Sequence, residues 1–278
     1  EDFSDVDKVV NYHMGGSAIS GDLVQSLVAL EGGGLVFVHR DYNLPHFVDA
    51  RTLVIASSYS GETEETLSSF SRALEAPAKK MAITTGGELG RLAQENGVPI
   101  LRIDYHAPSR ATLGYSLFSL LGLFQRLGFL SDKSNEVTET LAVLRELSGE
   151  IDEPSPLESN PTKRLATRLF GRLTIVYGSG TLCGVACRWK TQLNENSKSF
   201  SFCEVFPELD HNAVVGYDFP KGIGEKLFVV MLLSPSLNPR ILTRYRVTAE
   251  LLAEAGISYE VLTSRGESPL SQMMSLVF

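Results

Sequence analysis

The sequence has few cysteines and no apolar run long enough to cross a membrane. Cys183, Cys187 and Cys203 are three thiols in 278 residues, which fits reduced cysteines better than a disulfide framework. No histidine adjoins the Cys183–Cys187 pair to complete a zinc set, so the cysteines are interpreted as small apolar fillers. The acidic start EDFSDVDK lacks a secretory signal. These absences predict a cytoplasmic protein without a membrane span or a metal site.

The sequence also lacks an excess of basic residues. Lys and Arg number 25 against 33 Asp and Glu, giving a net charge of −8. A protein that binds the nucleic-acid backbone would show the opposite balance, so that class is not expected. A small anionic ligand is still compatible with this charge, because one site needs only a few local donors.

Short apolar runs alternate with longer stretches of helical period, which indicates βα units around parallel sheets. Strands are predicted at Val9–Met14, Leu35–His39, Leu53–Ser57, Met81–Thr84, Ile100–Ile103, Leu173–Tyr177, Ser199–Cys203, Leu227–Leu233 and Ser258–Leu262. Helices are predicted at Ser17–Leu30, Glu62–Leu74, Glu88–Asn96, Thr112–Leu127, Asn135–Ile151, Leu182–Asn196, Pro239–Ala255 and Pro269–Phe278.

The chain divides into two similar halves. The segment IDEPSPLESNP, residues 151–161, is rich in proline and serine and is interpreted as a linker. VVNYHMGGSAISG in the first half parallels LTIVYGSGTLCGVA in the second, since each has an apolar strand, glycines, a small polar residue and a helix. We therefore predict two three-layer α/β subdomains, residues 1–150 and 151–278.

The stretch SSYSGETEET concentrates hydroxyl side chains after a predicted strand. Ser58, Ser60 and Thr63 lie where the chain turns into a helix, whose first N–H groups and dipole favour an anion. Hydroxyls add rotatable donors, and Gly61 lets the backbone approach closely. The alternative is that one hydroxyl only caps the helix. The density of hydroxyls beside a glycine favours a phosphate site.

Two nucleotide-binding signatures are not supported. The sequence has no G-x-x-x-x-G-K-[ST] motif, which argues against a nucleotide P-loop. The loop Gly178-Ser179-Gly180 follows a predicted strand, as in a dinucleotide fingerprint, but no acidic residue ends the next strand where a ribose would need it, and Glu204 is a poor fit.

The segment from Arg188 to Pro220 offers an acid and a base. Glu195 lies at the end of a predicted helix and His211 lies in the loop beyond the next strand. A carboxylate and an imidazole can together perform proton transfer near neutral pH. Each also has a plainer interpretation, as a solvated helix-end carboxylate and as a structural histidine.

Several of these stretches resemble one family. MGGSAISGDL followed by SSYSGETEET resembles the sugar isomerase (SIS) domain. RWKTQLNENSK and PELDHN are similar to the bifunctional phosphoglucose/phosphomannose isomerase branch of the glucose-6-phosphate isomerase superfamily. The resemblance implies two SIS-type αβα subdomains with parallel five-stranded, flavodoxin-like sheets.

The resemblance also implies roles for individual residues. Arg110 would stabilise a developing enediolate, Glu195 would move the proton between C1 and C2, and His211 would help to open the sugar ring. In the superfamily this histidine reaches the site from a partner subunit, which implies a homodimer. The positions that match sugar-phosphate binding are Gly16, Ser17, Ser58, Ser60 and Thr63.

The function expected from the resemblance is aldose–ketose isomerisation of glucose 6-phosphate and mannose 6-phosphate with fructose 6-phosphate. It requires no cofactor and no metal. Two alternatives stay open: a non-catalytic SIS module that senses a phosphosugar, and an isomerase of another sugar phosphate. The family continues beyond the position of Phe278 with a helix that carries a ring-opening lysine, so the C-terminal subdomain is expected to be truncated.

Overall fold

The chain folds into two compact units, and each is described by itself. The computed structural model describes residues 2–278, apart from the side chains of residues 16–18. The units are Glu1–Lys133 and Ser134–Phe278. The division therefore lies at the start of helix α5 (Ser134–Ile151), whereas the sequence placed it at the helix end. The physical reason is that α5 packs against α9 (Pro269–Val277) of the second unit.

The amino-terminal unit alternates strands and helices. Its elements are β1 (Lys8–Tyr12), α1 (Gly15–Glu31), β2 (Leu35–His39), β3 (Thr52–Ser57), α2 (Glu64–Glu75), β4 (Lys79–Thr84), α3 (Gly87–Glu95), β5 (Ile100–Arg102) and α4 (Leu113–Arg126). A short 3₁₀ turn, Ser109–Ala111, precedes α4.

The five strands of this unit form one parallel sheet in the order β2-β1-β3-β4-β5. Val10 of β1 pairs with Phe37 on one side and Val54 on the other. All six residues of β3 are buried, as expected for a central strand that is covered on both faces. Because right-handed crossovers leave β1 and β3 in opposite directions, α1 and α4 cover one face and α2 and α3 cover the other.

The carboxyl-terminal unit repeats the plan with fewer strands. After α5 it contains α6 (Pro161–Leu169), β6 (Leu173–Gly178), α7 (Leu182–Glu195), β7 (Ser201–Val205), β8 (Leu227–Leu233), α8 (Pro239–Glu254), β9 (Ser258–Thr263) and α9. Between β7 and β8 the chain makes three 3₁₀ turns, Glu208–His211, Ala213–Gly216 and Ile223–Lys226.

The second sheet is parallel with the order β7-β6-β8-β9. This matches the first four positions of the amino-terminal sheet. One face is covered by α7 and α9. On the other face Tyr177, Phe206 and Tyr245 form the centre of a buried cluster. The rings of Phe206 and Tyr245 stack at 4.1 Å between centroids.

The predicted α/β class with parallel sheets is confirmed. The second sheet has four strands in the described chain, where the resemblance implied five, because only four strands follow Arg172. Helix α6 was missed, since residues 151–161 were interpreted wholly as a linker. Asn160 and Pro161 in fact begin this helix, with the Asn160 side chain accepting a hydrogen bond from the Lys163 N–H.

No helix in the described part of the chain combines the length and the apolar character that a membrane crossing requires.

Candidate functional site

The amino-terminal sheet has a topological switch point between β1 and β3. Their connections leave toward opposite neighbours, so a crevice opens at the carboxyl ends of these strands, where parallel α/β sheets bind ligands. Residues 58–63, here named the hydroxyl loop, follow β3 directly. Residues 15–17, here named the glycine loop, start α1 and follow β1. The fold thus places both loops on adjacent strands at one edge.

Three hydroxyls of the hydroxyl loop converge. Ser58 Oγ lies 2.8 Å from Thr63 Oγ1 and 3.5 Å from Ser60 Oγ. Ser58 is buried and Ser60 is exposed, so the cluster runs from the sheet edge to the surface. Because hydroxyls can rotate and act as donors or acceptors, this cluster can rearrange around the oxygens of an anion.

Gly61 fixes the shape of this loop. Its φ is +74°, a left-handed conformation that favours glycine, and a Cβ there would lie 2.0 Å from the Gly86 carbonyl oxygen. The Gly61 N–H donates to Ser58 Oγ at 3.1 Å, and its carbonyl accepts from the Leu89 N–H at 2.9 Å. The loop is therefore packed tightly against the start of α3.

The start of α2 does not follow the capping alternative. Thr63 occupies the N-cap position, but its hydroxyl bonds Ser58, and among the described residues no side chain caps this helix. Ser60 Oγ accepts from the Glu62 N–H, which precedes the helix, at 3.2 Å. Glu64 and Glu65 lie in the first turn, so an anion held here would depend on neutral donors and backbone dipoles rather than on nearby cations.

Tyr59 connects this loop to the segment that leads to Arg110. Its hydroxyl donates to the Tyr105 carbonyl and accepts from the Ala107 N–H at 2.9 Å. Arg110 lies half-buried in the 3₁₀ turn that follows, and this turn packs against α1. The structure therefore brings Arg110 to the same unit as the hydroxyl loop. The role of Tyr59 had no signal in the sequence.

His13 lies beside the glycine loop and is buried. Neither ring nitrogen has a hydrogen-bond partner among the described residues. Burial, and then the Arg40 charge, lower the pKa of His13 to about 3, so the ring is neutral at physiological pH. The predicted binding positions Gly16 and Ser17 lie outside the residues whose side chains are described.

Glu195 is the last residue of α7 in the carboxyl-terminal unit and is half-buried. The next turn is held by Lys198, whose Nζ donates to the Glu195 carbonyl at 2.6 Å and whose φ is +56°. A left-handed conformation is uncommon outside glycine and is found often at functional sites. Two helical turns earlier, burial lowers the pKa of Arg188, and the Glu195 charge opposes this shift.

His211 is exposed at the end of its 3₁₀ turn. The preceding residue anchors the turn, because the Asp210 carboxylate accepts from Arg244 Nη1 at 2.8 Å and from Thr248 Oγ1 at 3.2 Å. Both partners lie on α8. Asp210 is thus committed to α8, and the imidazole is presented on the surface of the unit.

Glu195 and His211 of one chain lie at opposite ends of the parallel strands in the second sheet. Helix α7 runs antiparallel to the strands, so Glu195 at its last position lies near their amino ends. His211 follows the carboxyl end of β7. The four steps between the first and last Cα atoms of β7 cover about 13 Å at ~3.3 Å per residue. The two predicted catalytic residues are therefore not brought together within this unit.

At the second switch point, between β6 and β8, the serine hydroxyls are already hydrogen-bonded to a side chain of the same unit. Ser234 and Ser236 follow β8, but Ser234 Oγ donates to Gln272 Oε1 at 2.6 Å and Gln272 Nε2 donates to Ser236 Oγ at 3.0 Å. Gln272 is a buried residue of α9. Asn238 caps α8 by accepting from the Arg240 N–H at 2.9 Å. This serine pair is visible in the sequence, but its partner is not.

Comparison with known proteins assigns the family. Residues 158–278 match the model of the bacterial phospho-glucose isomerase C-terminal SIS domain. A bifunctional phosphoglucose/phosphomannose isomerase of Caldicellulosiruptor bescii is 42% identical over 99% of this chain and 81% of its own length. The chain belongs to the bifunctional phosphoglucose/phosphomannose isomerase family. An Aquifex aeolicus isomerase of the same description is 33% identical over 95% of the chain and 78% of its own length.

Solved structures support the fold of this member of the bifunctional isomerase family. The C-terminal domain of glucosamine-fructose-6-phosphate aminotransferase from Francisella tularensis superposes with a TM-score of 0.74. The match has 16% identity and covers 99% of this chain and 82% of that chain. The resemblance that the sequence motifs indicated is thereby confirmed at the level of family and fold.

Proposed function

We propose that this protein interconverts glucose 6-phosphate and mannose 6-phosphate with fructose 6-phosphate through an enediolate intermediate. The observation that carries the proposal is the 42% identity, over 99% of the chain, with an isomerase of that description. The convergent hydroxyls at the switch point support it, because they suit the phosphate that these substrates share.

The hydroxyl loop would hold the substrate phosphate. Ser58, Ser60 and Thr63 supply rotatable donors, and the uncapped first turn of α2 adds backbone N–H groups. Gly16 and Ser17 of the adjacent glycine loop are proposed as further contacts. Binding energy from this remote phosphate would align the reacting carbons for chemistry.

Glu195 would act as the base. Isomerisation removes a proton from the carbon beside a carbonyl and returns it to the neighbouring carbon. One carboxylate can perform both transfers if it lies over C1 and C2. Arg110 would stabilise the oxygen on which negative charge develops. A base that accepts either configuration at C2 explains activity on both glucose and mannose phosphates.

His211 would serve the site of a partner subunit in a homodimer. Its separation from Glu195 across the sheet supports this arrangement, since one hexose phosphate cannot contact both residues of the same chain. We further propose that the reaction serves glycolysis and gluconeogenesis and takes place in the cytoplasm.

The decisive variant is Glu195→Gln. We expect turnover of fructose 6-phosphate to fall at least about 100-fold with little change in binding, because a general base contributes about 10²- to 10⁴-fold. Glucose 6-phosphate and mannose 6-phosphate should be quantified separately by coupled assays, and binding by calorimetry. Glu254→Gln is the matched control, since Glu254 is an exposed carboxylate that ends α8.

Two results would contradict the proposal. Wild-type protein that binds fructose 6-phosphate without converting it would indicate the phosphosugar sensor. Conversion of a different sugar phosphate alone would indicate another isomerase. Full turnover by the Glu195→Gln variant would remove Glu195 from its role while leaving the activity itself in place.

A further inference from the structure

Two cysteines far apart in the sequence meet in the carboxyl-terminal unit. Cys187 lies on α7 and Cys203 lies on β7, and their sulfur atoms are 3.2 Å apart. Neither forms a disulfide, and both are partly exposed. Cys183, one helical turn before Cys187, is the third thiol of the chain. The sequence interpretation of all three as apolar fillers overlooked this pair.

The pair encloses the segment that carries Glu195. The chain between Cys187 and Cys203 holds the last two turns of α7, the left-handed Lys198 and the start of β7. A covalent link between the two sulfurs would therefore close a loop around the proposed base. It would also fix the middle of α7, two turns before Glu195, to the edge strand of the sheet.

The two cysteines are within reach of a small oxidant from solvent. Side chains alternate along β7, so Cys203 points to the face that α7 covers, whereas Phe202 and Glu204 point to the other face. Cys187 and Cys203 are both partly exposed, and β7 is an edge strand of its sheet. A molecule as small as hydrogen peroxide can therefore reach the pair.

We propose that Cys187 and Cys203 form a reversible disulfide that restrains the Glu195 segment. Hydrogen peroxide oxidises one of the two thiolates to a sulfenic acid and releases hydroxide, which takes up the proton that the thiol lost. The other sulfur then attacks the sulfenic sulfur, the S–O bond breaks, and a second water leaves with the remaining proton. Two thiols and one peroxide thus give one disulfide and two waters, and a dithiol reductant reverses the reaction by exchange.

The environment of Cys203 sets the conditions for this oxidation. Its contact with Cys187, burial and the Glu204 charge raise the pKa of Cys203, while Lys190 opposes the shift. Since the thiolate is the reactive form, oxidation should be slow at neutral pH and faster in mildly alkaline buffer. Closing the pair requires the sulfurs to approach from 3.2 Å to the ~2.05 Å of a disulfide.

The chemical test is peroxide treatment of the full chain followed by mass spectrometry. We expect a loss of about 2 Da, a peptide linked through Cys187 and Cys203, and one remaining free thiol, Cys183. Cys187→Ser and Cys203→Ser should each abolish the link, and Cys183→Ser should preserve it. A link through Cys183, a link between chains, or oxygen adducts without a link would overturn the proposal.

The functional consequence rests on the proposed isomerase activity. Oxidised protein should turn over fructose 6-phosphate at least ~3-fold more slowly than reduced protein, with recovery after dithiol treatment, because general-base catalysis requires precise placement of Glu195. Cys187→Ser should be insensitive to peroxide. Unchanged turnover of the disulfide form would overturn the coupling to Glu195. Reduced protein without any isomerase activity would contradict the proposed function alone, because the mass measurement does not depend on it.

Discussion

The two units carry the same short pattern at corresponding places. Ser58-Tyr59-Ser60 follows β3, which pairs with β1. Ser234-Pro235-Ser236 follows β8, which pairs with β6. In the first loop the hydroxyls contact one another and Thr63. In the second they contact Gln272, which reaches in from α9.

This difference shows how a binding loop and a structural loop can share a sequence pattern. Gln272 satisfies both serine hydroxyls of the second loop, and Asn238 caps the helix that follows. An anion would have to displace these buried contacts. In the first loop Thr63 leaves its helix uncapped, so an anion would gain donors without breaking a cap.

Replacement of the first serine in each loop should separate their roles most strongly. Ser58→Ala should weaken fructose 6-phosphate and inorganic phosphate binding by roughly 10- to 100-fold, the effect of losing one hydrogen bond to a charged group. Ser234→Ala should leave both affinities unchanged. Isothermal titration calorimetry measures the affinity of each variant for the two ligands. Equal loss of affinity in the two variants would erase the distinction between the loops.

Removal of Gln272 should affect stability and not binding. Gln272→Ala leaves Ser234 and Ser236 without their partner, and we expect a loss of about 2 kcal/mol in the free energy of unfolding. Trp189 is a suitable probe of unfolding, because its indole N–H donates a hydrogen bond to the Leu276 carbonyl of α9, the helix that carries Gln272. Gln94→Ala, at an exposed position of α3, is the control. If Gln272→Ala acquires phosphate binding with unchanged stability, the second loop is a masked site and not a structural one.

His13 should make stability depend on pH in a way that the second unit cannot reproduce. The parallel segment of the second unit, LTIVYGSG, contains no histidine, and at its Gly178 a Cβ would lie 2.4 Å from the Leu182 carbonyl oxygen. The native pKa of about 3 lies below the ordinary 6.5. The unfolded chain therefore binds the proton first as pH falls, and stability is lost from pH 6.5 downward.

The expected size of this loss is about 1.4 kcal/mol one pH unit below 6.5. Urea unfolding at pH 7.5 and pH 5.5 measures it. His13→Gln should reduce the difference between the two pH values, and His106→Gln, at an exposed position of the same unit, should preserve it. An identical difference in wild-type and His13→Gln would show that other groups carry the pH dependence.

The sequence predicted what depends on local patterns. The apolar run of β3 is followed by hydroxyls and a helix, so the strand and the loop that follows it were predicted. Helix α6 was not predicted, because Asn160 and Pro161 serve equally well in a linker and at a helix start.

Contacts between distant residues were beyond this kind of inference. Gln272 meets Ser234 from 38 positions away, and Cys187 meets Cys203 from 16 positions away. Neither partner carries a local signal. The separation of Glu195 from His211 likewise depends on the direction of α7 against β7, which becomes visible only once the sheet is assembled.

A crystal structure of the protein with fructose 6-phosphate tests the central claim most directly. The account predicts the phosphate oxygens within hydrogen-bond distance of Ser58, Ser60 and Thr63, with the Ser234–Gln272 contact intact. A phosphate bound at the Ser234 loop, or a sugar bound while the first three hydroxyls keep only one another as partners, would contradict it.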